Sequence, residues 1–508
     1  MAIPAESKFD VVIVGSGLGG LYCARVLGLH GFKVCVLEKN RQIGGNLQTF
    51  ARDKCIFDTG VHYLGGMDEG QNLYQCFKYA GILPHLKLKR MDEEAFDVVM
   101  FDGDEHEYPH GMGYDNFINN LAALFPDERE NIANYFQEMQ DICKLFPAYN
   151  LSSDKKEQVL NRYFEISATD FIASFTKNEK LRQVLGGTNL LYAGIADRSP
   201  AYMHALVVNS YIESSWRCVN GGSQIALAMV KKIKESGGVV HKYAEAKHFI
   251  FEGDDLVGVE LASGQKVYGT HFISNLHPKA TMQILGPGRL RKSYENRMND
   301  LENTTSVFSI HIVLKPESFK YLNKNYYWHS TNDSWQSINY KPDTWPESYM
   351  LLTPAHTKSD EYADSITVMA YMHFDEVAQW QHTFNTVTHE DERTKAYHEF
   401  KIGKAEKLLD AVEKRFPGLR DKIQTYYTST PLSYRDYINT PDGSAYGVLR
   451  DSTNPLKAYI SPRTKINNLY LTGQNLNMHG VLGVTVGAII TCSQLIDGSQ
   501  LIEDIRNA

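Results

Sequence analysis

Residues 10–20 read DVVIVGSGLGG and residues 33–39 read KVCVLEK. The first run has the pattern of a buried strand and breaks into Gly15, Ser16, Gly17, Leu18, Gly19 and Gly20. Glycines at 15, 17 and 20, between a strand and a helix, are the dinucleotide fingerprint. Gly15 permits the tight turn, Gly17 lets the backbone approach a pyrophosphate, and Gly20 lets the helix pack close on the strand. The helix that opens there aims its free N–H groups at the phosphates. The second strand ends in Glu38, placed to accept hydrogen bonds from an adenosine ribose. A glycine triplet alone says little. Strand, turn, helix, strand and terminal acid in one unit commit this end of the chain to an α/β nucleotide-binding fold.

Composition narrows what that fold serves. The chain has 508 residues and a net charge of −8, with no Lys/Arg run, which argues against a nucleic-acid partner. Seven scattered cysteines without a C-x-x-C pair point to reduced thiols and no metal cluster. The opening MAIPAESKF lacks the apolar core of a signal peptide. The most apolar stretch, 481–496, contains Gly483, Gly487, Ser493 and Gln494, and reads as a buried helix rather than a bilayer span. The expected location is cytoplasmic, with peripheral contact to a membrane surface left open.

Along the chain, residues 71–210 read as mostly helical. Ile132, Phe136, Met139, Ile142 and Phe146 recur at helical spacing and read as a core-facing side. A helix ends at Gly237 and Gly238, and four strand-like runs with turns at 252–255 and 263–264 follow as a β-meander. Residues 300–425 read as a second α/β region. In it SVFSIHIVLK alternates like a half-buried strand, and a long helix covers about 392–415. NNLYLTG then reads as a strand and GVLGVTVGAIITCSQLI as a helix.

A second glycine pair, Gly44 and Gly45, follows Glu38 by six residues. A nicotinamide enzyme has no need of it. FAD does, because its long body crosses this loop and the backbone must come close. Gly473 and Gln474 end the NNLYLTG strand, where a polar residue reaches the pyrophosphate or ribityl chain. The helix starting near 480–483 can face the flavin edge that becomes negative on reduction. His62 and Tyr63 follow the FDTG run that leads toward the ring. His62 could donate a proton to a substrate carbon, or only fix the loop, and Tyr63 is the second candidate. His106 and His110 have metal-ligand spacing, but Pro109 and Gly111 break any helix, so the segment reads as a loop and no metal is expected.

From end to end the chain resembles the FAD-dependent phytoene desaturase family, which includes carotenoid isomerases and all-trans-retinol 13,14-reductases (retinol saturases). VVIVGSGLGGL, VLEKNRQIGGNLQTF, CVNGGSQIALAM and the HFISNLHP strand carry the resemblance. FDTGVHYLG, TPLSYRDYINTPDGSAYG and GVLGVTVGA look most like the retinol saturase branch. The resemblance implies a Rossmann-like FAD-binding domain of glutathione-reductase and amine-oxidase type, beside a mixed-sheet substrate domain with a helical part. It implies that Ser16, Leu18 and Gly19 join the fingerprint glycines on the pyrophosphate, and that Asn46 and Asn275 line the mid-cofactor region. Ala246 would meet the adenine, and Leu482, Gly483 and Val484 the flavin edge. Many relatives carry Arg where this chain has Asn46, so Lys39 or Arg41 would supply that charge. Tyr434 and Tyr446 are candidates for the tunnel wall.

The expected cofactor domain is discontinuous, 1–70, 212–290 and 425–508, with 71–211 and 291–424 on the substrate side. The expected reaction is saturation of a carbon–carbon double bond in a long apolar molecule, with an electron partner the sequence does not name. Desaturation and cis–trans isomerisation use the same scaffold. A prenyl- or lipid-escort protein of this fold without FAD is the non-enzymatic alternative, and amine oxidation the other flavin reading.

Overall fold

The computed structural model describes residues 8–153, 162–387 and 389–508. Two seven-stranded sheets organise it. At the centre of the first lies β1 (Lys8–Val14), followed by α1 (Leu18–Leu29) and β2 (Val34–Leu37). β1 pairs in parallel with β2, Val14 opposite Leu37, and with strand Lys266–Ser274, Val14 opposite Ser274. Val239–His241 extends the sheet beyond β2, and Leu469–Leu471 runs parallel to Lys266–Ser274, with Ser274 opposite Leu471. The meander Ala246–Glu252, Asp255–Leu261 and Lys266–Ser274 completes it in antiparallel pairing. Both faces of the parallel part are covered, which is why β2 and the end of β1 are apolar without alternation.

α1 is buried from Leu18 to Leu27. It packs on helix Gly480–Cys492, whose side chains are apolar all round and almost wholly buried. Within this layer Arg25 donates to the Ala80 carbonyl at 2.8 Å and to Ser236 Oγ at 2.5 Å, so its charge reaches the surface without a buried carboxylate.

The second sheet runs in the order Ile423–Ser429, Ser306–Leu314, Ser365–Met372, Ser348–Leu352, Asn325–His329, Asp97–Phe101, Tyr108–His110. Four readings change here. Residues 71–210 are not all helical, because Asp97–Phe101 and Tyr108–His110 build one edge of this sheet, and Asp97–Phe101 pairs in parallel with Asn325–His329. His110 therefore lies on a strand rather than in a loop. Ser306–Leu314 is buried at all nine positions, not half-buried. Its second face is covered by the hairpin Thr49–Arg52 and Cys55–Asp58, and Phe50 and Phe57 pack on His311 with ring centroids 4.9 and 5.2 Å away. Finally, Ile423–Ser429 belongs to this sheet, so a boundary at 425 cuts through a strand. Helix Tyr114–Leu124 packs on the edge strand Tyr108–His110, and Arg129–Lys144 packs on that helix and on Ala201–Glu213. The expected stripe on Arg129–Lys144 is buried, at Ile132, Phe136, Met139 and Ile142.

Candidate functional site

A cavity of about 530 Å³ runs from the ends of the first sheet to the second. Its narrow end is tied together by one hydroxyl. Ser16 Oγ donates to Glu38 Oε2 at 2.5 Å and accepts from the Gly44 N–H at 3.2 Å. The Ser16 N–H also donates to Glu38 Oε2, at 3.1 Å, and the Asn40 N–H donates to Oε1 at 2.7 Å. Fingerprint turn, strand-end acid and second glycine pair are thus one hydrogen-bonded unit. Glu38 organises the turn as well as facing the cavity, a role its position alone does not reveal.

The glycines leave room where any side chain would fill the cradle. Gly15 holds φ +96° and Gly473 φ +99°, both left-handed. A Cβ on Gly17 would lie 2.8 Å from Asn275 Nδ2, and one on Gly19 would lie 2.7 Å from Asn275 Oδ1 and 3.0 Å from Gly473 Cα. A Cβ on Gly45 would lie 3.1 Å from Gly17 Cα. Asn275 therefore sits at the junction of three chain segments, and its Nδ2 also reaches the Gly15 carbonyl at 3.4 Å.

The cavity wall brings together Gly15, Ser16, Gly17, Leu18, Gly19, Glu38, Lys39, Gly44, Gly45, Asn46, His62, Tyr63, Ala246, Asn275, Gly473, Gln474, Leu482, Gly483 and Val484. Gly20 is not on the wall; it packs beneath Gly15. Asn46 Nδ2 donates to Gln474 Oε1 at 3.3 Å, a neutral link across the cavity where an Arg was the family pattern. Arg41 is exposed and off the wall, whereas Lys39 lines it together with Lys247, burial lowering the Lys39 pKa against the pull of Glu38. Helix Gly480–Cys492 begins three residues before Gly483, and His479 forms no side-chain cap. Its uncapped first-turn N–H groups are those of Gly480, Val481 and Leu482.

Beyond that helix the wall turns apolar. Leu190, Met203, Leu206 and Val207 face Val307, Met350 and Met369 across the cavity, with Tyr211, Tyr434 and Tyr446 among them. His62 stands here. Burial, and next the Arg217 charge, lower its pKa to about 4, and its buried Nδ1 has no hydrogen-bond partner. It is neutral at pH 7, which weakens its candidacy as a cationic proton donor. Tyr63 stacks on Tyr211, ring centroids 4.2 Å apart, and its hydroxyl donates to Asp97 Oδ2 at 2.9 Å. Asp97 was missed by sequence reasoning, although a lone carboxylate opening the apolar run DVVMF was the available signal. His479 was also missed: it lines the cavity, and its ring lies 4.7 Å from Tyr446.

These residues fit an extended dinucleotide with a ring system at its far end. The glycine cradle lies mid-way, a carboxylate at one end, and uncapped helix N–H groups at the other.

Comparison with known proteins agrees with this geometry. The profile of an NAD(P)-binding Rossmann-like domain matches residues 13–80. A Danio rerio protein named all-trans-retinol 13,14-reductase is 26% identical over 540 residues, covering 98% of this chain and 87% of its own. A Daucus carota protein named chloroplastic prolycopene isomerase is 24% identical, covering 95% of this chain and 79% of its own. Among solved structures, an oxidoreductase from Methanosarcina mazei superposes with a TM-score of 0.64 at 16% identity, covering 95% of this chain and 99% of its own. Putrescine oxidase bound to putrescine does so with 0.64 at 15% identity, covering 99% and 100%. At these identities the structural likeness is one of fold. Among the described residues no helix is long and apolar enough to cross a membrane.

Proposed function

For a chain akin from end to end to the retinol 13,14-reductases and prolycopene isomerases, we propose an FAD-dependent oxidoreductase that saturates a carbon–carbon double bond of a long apolar polyene. One observation carries the reading: a dinucleotide cradle and an apolar chamber are two ends of one cavity. When bound, the flavin supplies the two-electron chemistry. Glu38 and the fingerprint turn would hold the adenosine and pyrophosphate, Asn46 and Gln474 the ribityl region, and Leu482, Gly483 and Val484 the ring edge. The N–H groups of Gly480, Val481 and Leu482 favour negative charge in front of the helix. The apolar wall excludes water and binds by burial. A polyene that buries about 300 Å² gains roughly 7 kcal/mol, so few polar contacts are needed. The chamber's histidines, His62 and His479, are both held neutral by burial, which does not suit a short cationic amine.

The test is anaerobic. Reduced protein is mixed with polyenes, retinoids and unsaturated lipids, and flavin absorbance and product mass are followed together. A product two mass units heavier with reoxidised flavin is the expected result. Altered double-bond geometry at unchanged mass, with flavin still reduced, would make the protein an isomerase. Turnover of short polar amines alone would end the polyene reading.

Glu38→Ala tests the cradle. Its two charge-assisted contacts to a ribose are worth about 1.5–3 kcal/mol, or roughly 10- to 150-fold in FAD affinity. The Ser16 and Asn40 donors also lose their acceptor, so the cofactor-free protein should melt lower as well. Glu38→Gln, which keeps an acceptor, should fall between. Unchanged FAD affinity in Glu38→Ala would remove Glu38 from the site.

A further inference from the structure

Behind the apolar wall lies a chain of buried polar groups. Tyr63 is 5% exposed and lies on the wall. Its hydroxyl is 2.9 Å from Asp97 Oδ2 and 2.9 Å from the Tyr327 hydroxyl. Asp97 is 1% exposed, and its Oδ1 accepts from Asn325 Nδ2 at 2.7 Å. Asn325 Oδ1 in turn accepts from Arg217 Nη2 at 2.8 Å. Arg217 Nη1 and Nη2 also donate to the Thr353 and Lys324 carbonyls, and its buried Nε has no partner, so it reaches Asp97 only through an amide.

This is an expensive way to build a core. A carboxyl group buried without a direct cation costs several kcal/mol if ionised. An asparagine at 97 would make neutral hydrogen bonds to the same neighbours. What the carboxyl adds is a transferable proton, next to the Tyr63 hydroxyl, whose ring lies on the cavity wall stacked on Tyr211.

We propose that Tyr63 is the acid that protonates the substrate carbon and that Asp97 is the positioning residue that holds and restores its proton. The inference rests on the saturation reading above. The balance is as follows. The alkene π bond breaks; one carbon receives a hydride equivalent from the reduced flavin, and the other forms a C–H bond with the Tyr63 proton. The O–H electron pair stays on the phenolate. The alkene is reduced by two electrons, which a bound reduced flavin would supply. The Asp97 O–H bond then breaks to restore Tyr63, and once product has left, solvent in the cavity returns a proton to Asp97 by way of the Tyr63 hydroxyl.

The groups facing Asp97 are Tyr63, Tyr327, Asn325, Arg217 and Tyr211, with His110 opposite it in strand register. Burial pushes the Asp97 carboxyl up to about 7, against the Asn325 and Tyr63 hydrogen bonds and the Arg217 charge. Burial holds His110 neutral, at about 3. The reserve is therefore full below pH 7 and empties above it.

Two measurements on the flavin-loaded protein decide the matter. The first needs no substrate: the infrared band of a protonated carboxyl, taken as wild type minus Asp97→Asn. It should be present at pH 6, lost by pH 8, and shifted in Tyr63→Phe. Its absence at pH 6 overturns the proposal whatever the enzyme turns over. The second is single-turnover reoxidation of reduced flavin by the polyene that the wild type saturates. Tyr63→Phe should slow it about 10²- to 10⁴-fold. Asp97→Asn should slow it and erase the inflection near pH 7. Tyr327→Phe removes a neighbour of Tyr63 outside the proton route and should cost less than tenfold. A loss equal to that of Tyr63→Phe would make the cluster mere packing, and a wild-type rate in Tyr63→Phe would exclude it as the acid. If the wild type saturates no polyene, the functional reading fails and the proton's destination with it. The infrared shift then still decides whether Tyr63 and Asp97 share a proton.

Discussion

Brought from pH 7 to pH 5, the protein should lose stability ever more steeply, reaching about 5 kcal/mol per pH unit near pH 5, and unfold. Seven buried histidines set this slope. Burial lowers His62, His204, His277 and His329 to about 4, and His110, His311 and His479 to about 3. A histidine with a depressed folded pKa contributes stability that is full above its unfolded value near 6.5 and is lost as pH falls toward the folded one. Three carboxyls act in the opposite direction. Burial raises Asp58 and Asp97 to about 7 and raises Glu213, so their contribution is full in acid and lost as pH rises. Near pH 5 seven imidazoles gain a proton on unfolding, Asp58 and Asp97 lose one, and Glu213 loses at most one, a net uptake of at least four. At about 1.4 kcal/mol per proton per pH unit, the histidines win. Melting temperature against pH checks this directly. A melting point that is flat or rising from pH 7 to pH 5 would mean that water reaches these rings.

Gly20→Ala should abolish cofactor retention and lower the melting temperature by several degrees. Gly20 lies on no cavity wall, so the effect is one of architecture. A Cβ there would sit inside contact distance of the Gly15 carbonyl oxygen, 3.2 Å from Ile13 Cγ2 and 3.3 Å from Asn275 Cβ. The obstructing atom is backbone and cannot rotate away. α1 must then lift off β1, and the Gly15 and Gly17 turn moves with it. Overpacking of this kind costs about 1–3 kcal/mol even where side chains can adjust. Flavin content after purification and thermal melts of the cofactor-free protein separate the two effects. Gly403→Ala, on an exposed helix face with open space around it, serves as the control. Full occupancy in Gly20→Ala would mean that the strand and helix do not pack as closely as the fold requires.

The nucleotide half was legible because glycine spacing and a strand-end acid are local signals with one physical meaning each. Gly15, Gly17 and Glu38 stand within one short unit, and Gly44 and Gly45 follow directly. The second sheet was less legible. Asp97–Phe101 lies in a helix-rich stretch and becomes a strand only because Asn325–His329 offers an edge more than 200 residues away. Ser306–Leu314 alternates as a half-exposed strand would, and nothing local announces that the hairpin around Phe50 and Phe57 covers its polar face. At the site, His62 was visible beside the FDTG run, but its neutrality depends on burial and on Arg217, both tertiary. Asp97 was hidden for the same reason. A carboxylate at the head of an apolar strand looks like a surface cap until its partners Tyr63 and Asn325 are known.

Strand Lys266–Ser274 meets β1 on one side and Leu469–Leu471 on the other, and this order governs when a newly made chain can first hold its cofactor. The fingerprint emerges from the ribosome early, yet the floor of its cradle comes from Asn275, and the far side from Gly473 to Val484. Several hundred residues must be synthesised before the parts can meet, and the parallel pairing that joins them closes long loops and forms slowly. Until then the apolar edge of β1 and the uncovered face of α1 stand open to chaperones or to other chains. Flavin supply in the producing cell should therefore affect the yield of soluble protein at a late, post-synthetic step, when the helix at 480–492 docks, rather than during the folding of the first βαβ unit.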